Sequence, residues 1–276
     1  AGRYRADVRT IEKPWGEWFS LDELEAALIE HRPAMLALVH AETSTGVCQP
    51  MEGVGDLCRK HDCLLLLDTV TSLGGVPLYI DDWKVDLAYS CSQKGLSCPP
   101  GLGPFTMGPR AEEKMSARKD KVPNWYLDVS LLNKYWGSDR VYHHTAPVNM
   151  NFGMREALRL LAEEGLENAW ARHRRNAEAL WTGLENLGLS MLVPEDRRLP
   201  TLTTVRIPEG VDGKAFSLHL LNQHGIEVGG GLGVLAGKIW RIGLMGYNST
   251  PENVDRLLNL FETELPRFSG SLAAAA

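Results

Sequence analysis

The sequence predicts an α/β protein in two parts, a large domain on a mostly parallel sheet and a smaller α+β C-terminal domain. Three observations carry this. Over residues 1–163 short apolar runs alternate with segments of helical period, the pattern of a parallel sheet covered on both faces. Each apolar run ends in polar residues, and in open α/β sheets ligands bind beyond the carboxyl ends of the strands. From about residue 164 long helices and alternating strands take over. The expected division is therefore 1–163, 164–268 and a tail, 269–276, that closes on four alanines. The length, 276 residues, suits about two domains.

The elements follow in order. Asp7 to Ile11 is strand-like, Leu21 to Glu30 has helical period, and Ala34 to Val39 is a short apolar run ending at His40. Met51, Val54, Leu57 and Cys58 recur at helical spacing, weakened by Gly53 and Gly55. Leu64 to Leu67 and Val85 to Ser90 read as two further strands. Met154, Leu158 and Leu161 mark one helix, and Ala177 to Leu187 a longer one. Thr201 to Ile207 alternates like a strand, Gly213 to His224 is helical, and Ile239 to Leu244 is again a strand. The last helix starts cleanly: Thr250 can cap it, Pro251 suits its first position, and Val254, Leu257, Leu258, Phe261 and Leu265 form its apolar face.

Composition removes several classes of function. Hydrophobic residues make up 44% and charged residues 23%, which excludes a disordered or collagen-like chain. The formal net charge is −6, so a nucleic-acid-binding surface is not expected. The densest basic run, Arg118 to Lys121, reads as a solvated helix end. No apolar stretch approaches the ~18 residues of a membrane helix, and a secretory signal is not expected, since three Arg stand within the first nine residues with no apolar core behind them. The five cysteines are an odd number without a C-x-x-C pair, which argues against a disulfide framework or structural zinc and for a reducing, cytoplasmic setting.

Three residues could do chemistry. Lys94 follows a buried strand in Tyr-Ser-Cys-Ser-Gln-Lys-Gly. A lysine amine whose pKa is lowered from about 10.4 becomes a nucleophile that can form a Schiff base with an aldehyde; the alternative is an exposed lysine in a βα turn. Asp68 is a lone carboxylate after four leucines. It calls for a cationic partner, such as the protonated ring nitrogen of pyridoxal phosphate, or else caps the following turn. Arg241 interrupts an apolar strand in Trp-Arg-Ile-Gly, where its planar fork suits a substrate carboxylate or a structural salt bridge. Other signals are weaker. Gly229 to Gly233 reads as a flexible turn rather than a phosphate loop, His143-His144 as packing, and Asn248-Ser249-Thr250 as a helix cap rather than a glycosylation site.

From about Ala6 to Pro266 the chain resembles the class V, fold type I pyridoxal-phosphate aminotransferases, in particular the alanine–glyoxylate or serine–pyruvate group. The resemblance is carried by His40-Ala-Glu-Thr-Ser-Thr-Gly46, Leu67-Asp-Thr-Val-Thr-Ser-Leu-Gly-Gly75, Ser92-Gln93-Lys94, Tyr142-His-His-Thr145 and Trp240-Arg-Ile-Gly243. It implies Lys94 as the Schiff-base lysine, Asp68 at the pyridine nitrogen, Thr43 at the ring hydroxyl, Val70 against the ring and Gln93 near the phosphate. Tyr142 and Thr145 would reach the phosphate of the neighbouring subunit of a homodimer, and Arg241 would hold the substrate carboxylate. The implied reaction moves an amino group from alanine or serine to glyoxylate or pyruvate.

The family's segment before the position of residue 1, with a phosphate-cradling Ser-Gly loop and a ring-stacking aromatic residue, has no counterpart in this sequence. Weak cofactor binding by this chain alone is therefore expected, with one side of Leu36, Leu66 and Leu87 left uncovered. Two other readings remain: a cysteine desulfurase or related lyase, which needs a mobile cysteine near Lys94 such as Cys91 or Cys98, and a fragment that acts only in dimerisation.

Overall fold

The computed structural model describes residue 2 and residues 6–269. The expected tail therefore lies outside the described residues beyond Ser269. Helix α1 (Leu21–His31) opens on a capping box, in which Ser20 and Glu23 satisfy each other's backbone donors, and it buries Leu24 and Leu28. Strand β1 (Met35–Val39) follows, then a short hairpin of β2 (Ala41–Glu42) and β3 (Val47–Cys48) that the sequence reading did not anticipate. Helix α2 (Val54–Lys60) leads to β4 (Leu64–Asp68), β5 (Leu87–Tyr89) and β6 (Phe105–Met107).

These strands form one sheet in the order β1-β4-β5-β6. The first three are parallel and β6 is antiparallel. Leu38, Leu65, Leu67 and Ala88 point to one face and join Leu24, Leu28, Val54 and Cys58 in a core. The opposite face alternates with it. Its outermost row runs Val39–Asp68–Tyr89–Phe105 by strand register, with Ala37–Leu66–Leu87–Met107 beneath. Met35, Val39, Tyr89 and Phe105 are exposed on it.

Expectation and structure part here. Alternating helices predict a sheet covered on both faces, but one face is open among the described residues. Leu66 and Leu87 do lie on the open face, half-buried, while Leu36 packs against the covered core. The segment Asp7 to Ile11 is not a strand, having no ladder among the described residues; Ile11 packs on the same core instead.

Helices α3 (Pro109–Ser116), α4 (Val129–Trp136) and α5 (Val148–Glu164) come next, and α4 and α5 bury no residue. The basic run Arg118 to Lys121 is exposed just past α3. Helix α6 (Leu166–Asn186) then leads into a second sheet of β7 (Leu202–Arg206), β8 (Gly229–Gly230) and β9 (Ile239–Gly243), in the antiparallel order β7-β9-β8. Helices α7 (Gly213–His224) and α8 (Pro251–Glu264) pack on it around Phe216, Trp240 and Phe261. Thr250 caps α8 by accepting from the Asn253 amide, with Pro251 at its first position.

The glycine run 229–233 is not a free turn. Gly229 and Gly230 are ladder residues, and a Cβ on Gly231 would stand 2.0 Å from the Leu235 carbonyl oxygen. The two sheets are tied together by side chains at the first sheet's carboxyl edge. Thr201 donates to the Thr71 carbonyl at 3.0 Å and Thr204 to the Thr45 carbonyl at 2.7 Å. No helix among the described residues is long and apolar enough to cross a membrane.

Candidate active site

The site is built where strands β1, β4 and β5 end. Because β4 alternates, Asp68 emerges on the open face between Val39 and Tyr89. Its Oδ1 accepts from the Val70 amide at 2.8 Å and its Oδ2 accepts from the Tyr89 hydroxyl at 2.5 Å. The turn-capping reading of Asp68 thus holds through one oxygen, while the other is held from the next strand. Burial, together with the hydrogen bond to Asp68 and its charge, pushes the Tyr89 phenol up to about 12. Tyr89 was missed by sequence reasoning. Its signal was its place at the end of β5, in register with Asp68.

Lys94 lies in the turn after β5, half-buried, and its amine has neither a hydrogen bond nor an ion pair among the described residues. The turn itself is tightly seated. A Cβ on Gly95 would come 2.4 Å from the Leu73 carbonyl oxygen, and one on Gly246 would meet Ser97 Oγ at 1.9 Å. Ser97 Oγ also accepts from the Tyr247 amide at 2.8 Å. The lysine backbone is therefore pinned between the turn that follows Asp68 and the segment after β9, while its side chain is left unengaged. Gln93 beside it is exposed, and Val70 is half-buried in the turn after β4.

Arg241 comes from β9, yet it reaches the first sheet. It donates from Nε to the Gly230 carbonyl at 2.7 Å and from Nη1 to the Thr43 carbonyl at 3.2 Å. No carboxylate pairs with it among the described residues, so the structural salt bridge considered from sequence is not formed. Two carbonyls hold the guanidinium from two sides, and Nη2 has no hydrogen bond among the described residues. Thr43 is brought to the same place, half-buried.

Tyr142 and Thr145 stand apart. They hydrogen-bond each other at 3.2 Å, and no hydrogen bond joins them to Asp68 or Lys94 among the described residues. Tyr142 is 73% exposed. His143 is packing, as expected, stacked on Trp125 with ring centroids 4.0 Å apart. Beneath the site His40 is buried, and desolvation lowers its pKa to about 4. All five cysteines are free and none is exposed, including Cys91 and Cys98 near Lys94.

A lone amine, an anchored carboxylate and a guanidinium at the carboxyl ends of parallel strands define the class. The model of the class-V aminotransferase family, whose members depend on pyridoxal phosphate, matches residues 1–257, and the chain belongs to that family. Among individual relatives, the chain is 45% identical over 261 residues to the alanine–glyoxylate aminotransferase of Mus musculus, covering 93% of this chain and 63% of the relative. The crystal structure of alanine–glyoxylate aminotransferase from Nostoc sp. superposes with a TM-score of 0.93 at 67% identity, over 95% of this chain and 69% of that one. The ureidoglycine–glyoxylate aminotransferase of Bacillus subtilis gives 0.95 at 39% identity, over 99% and 71%. The fold is thus that of the fold type I pyridoxal-phosphate enzymes, and the chain spans less than two-thirds of the mouse relative's length.

Proposed function

We propose that this chain forms the lysine-bearing part of a transaminase that moves an amino group from alanine or serine to glyoxylate or pyruvate, with pyridoxal phosphate as cofactor. The observation that carries the reading is the combination of Lys94, in the turn after β5 with its amine unpartnered among the described residues, and an Asp68 carboxylate held at both oxygens at the end of the adjacent parallel strand. These residues fit the cofactor. A flat cationic ring needs one fixed anion, and an aldehyde needs one uncommitted amine.

When bound, pyridoxal phosphate supplies an electron-withdrawing ring that acidifies the substrate's α-carbon. Asp68, its carboxylate held at both oxygens, would keep the proton on the ring nitrogen. Lys94 Nζ takes the α-proton and returns it, acting as base and then acid. Arg241, its Nε and Nη1 committed to backbone carbonyls, presents Nη2 to the carboxylate that every amino- and oxo-acid substrate shares. Thr43, Val70 and Gln93 serve as further cofactor contacts in this reading.

The division at 163/164, a cytoplasmic setting and a homodimer belong to the same proposal. Tyr142 and Thr145 would complete the neighbour's site, a role that suits their exposure and their mutual hydrogen bond. In the protein that carries this chain, alanine with glyoxylate should yield pyruvate and glycine. Asp68→Asn should lower turnover far more than it raises KM, because the electron sink acts in the transition state. Turnover near wild type in that variant would return Asp68 to a turn cap and overturn the reading.

A further inference from the structure

Asp68 is held from two directions. Oδ1 is tied to its own turn through the Val70 amide at 2.8 Å, and Oδ2 is tied across the sheet to the Tyr89 hydroxyl at 2.5 Å. Either bond alone leaves the carboxylate free to rotate about Cβ–Cγ. The two together, arriving from separate strands, fix its plane. The second bond is short, in the range of hydroxyl donors to ionised carboxylates. It cannot readily be replaced, because the other members of that row, Val39 and Phe105, carry no donor, and no other group bonds Oδ2 among the described residues.

We propose that Tyr89 is a positioning residue for Asp68: its hydroxyl sets the angle at which the carboxylate meets the ring nitrogen of the cofactor. This rests on the transaminase reading of the site. Backbone register, not chance proximity, makes the contact, since Asp68 and Tyr89 are paired Cα to Cα on parallel strands. Tyr89 is 39% exposed on the open face, and its replacement by phenylalanine deletes one oxygen and leaves the ladder and the ring in place. The raised phenol keeps Tyr89 a donor throughout the neutral range, so positioning does not lapse as pH varies there.

The test uses the protein that carries this chain, loaded with pyridoxal phosphate, and compares wild type with Tyr89→Phe. Turnover should fall roughly tenfold with KM for alanine changed less than about twofold, the split of a contact that matters in the transition state. Visible circular dichroism, which reports the orientation of the bound ring, should lose amplitude. On the cofactor-free protein, Asp68→Asn should move the Tyr89 phenol titration down toward its ordinary value near 10.

A merely structural tyrosine would lower Tm in Tyr89→Phe while dichroism and turnover at low temperature stayed at wild type, and that result overturns the proposal. Lys94→Ala and Asp68→Asn run alongside. If both remain fully active, the transaminase reading has failed. If both are inactive while Tyr89→Phe is unchanged, only the role of Tyr89 has failed.

Discussion

The two sheets of this chain meet their surroundings differently. The sheet β7-β9-β8 is enclosed: helices α6, α7 and α8 cover one face around Phe216, Trp240 and Phe261, and its other face lies on the turns of the first region through Leu202 and Thr204. The sheet β1-β4-β5-β6 has α1 and α2 on one face and an apolar, partly exposed surface on the other. The enclosed sheet supplies a packed core and sends Thr204 and Arg241 to carbonyls of the first region. The half-open sheet carries Asp68, Tyr89 and the turn of Lys94. On the proposed reading the chemistry lies at the strand ends of the half-open sheet, and the core that holds Arg241 in place is built elsewhere.

That comparison can be broken most severely at Lys94. Lys94→Ala should cut transamination by about a thousandfold or more, on the order of 4 kcal/mol of barrier, while leaving the unfolding of both regions unchanged. Coupled assays of pyruvate release measure the first, and denaturant titration the second. Full transamination without Lys94 would remove the half-open sheet from the chemistry altogether.

The next contrast is in packing. Trp240→Ala should destabilise the protein by about 3–5 kcal/mol, because it empties a closed core and removes the indole's hydrogen bond to the Gly213 carbonyl at 3.0 Å. Phe105→Ala on the open face should cost less than about 1 kcal/mol, since that ring is 48% exposed already. Urea midpoints with unchanged slopes would measure both. Equal losses would mean that the open face is packed in solution.

Acid sharpens the difference further. His40 is neutral in the folded state, with a pKa of about 4 against about 6.5 unfolded, so its contribution is present above pH 6.5 and is lost as pH falls toward 4. The loss is on the order of 2–3 kcal/mol by pH 4.5 and should be smaller in His40→Asn. Chemical denaturation at pH 7 and 4.5 gives the slope. An unchanged slope in the variant would assign the acid sensitivity to other groups.

The smallest effect is at the bridge between regions. Arg241→Lys should raise KM for amino and oxo acids about tenfold, or about 1.4 kcal/mol, and leave amines that lack a carboxylate unaffected. A lysine cannot hold two carbonyls and a carboxylate in one plane. Equal losses for both kinds of ligand would make Arg241 a tie between the sheets and not a substrate contact.

Much of the fold was legible wherever the signal is local. Thr250 and Pro251 place the start of α8 because a helix must satisfy its first amides nearby, and the runs at Leu64 and Val85 end in the polar residues that carry Asp68 and Lys94. The chemical types of the candidate site could likewise be read, since a lone Asp after four leucines and a lysine just past a strand stand out against their neighbours.

Tertiary structure alone decided the rest. Strand β6 is three residues long and antiparallel, a direction that periodicity does not encode. Arg241 meets the Thr43 carbonyl 198 residues away, and Tyr89 meets Asp68 only because β4 and β5 pair in that register. A one-residue slip would send Tyr89 to the other face. Caps and periods depend on residues within one turn or one strand, so the sequence determines them by itself. Register, and which face of a sheet is left open, depend on what the chain meets far from its own position, and only the folded molecule settles that.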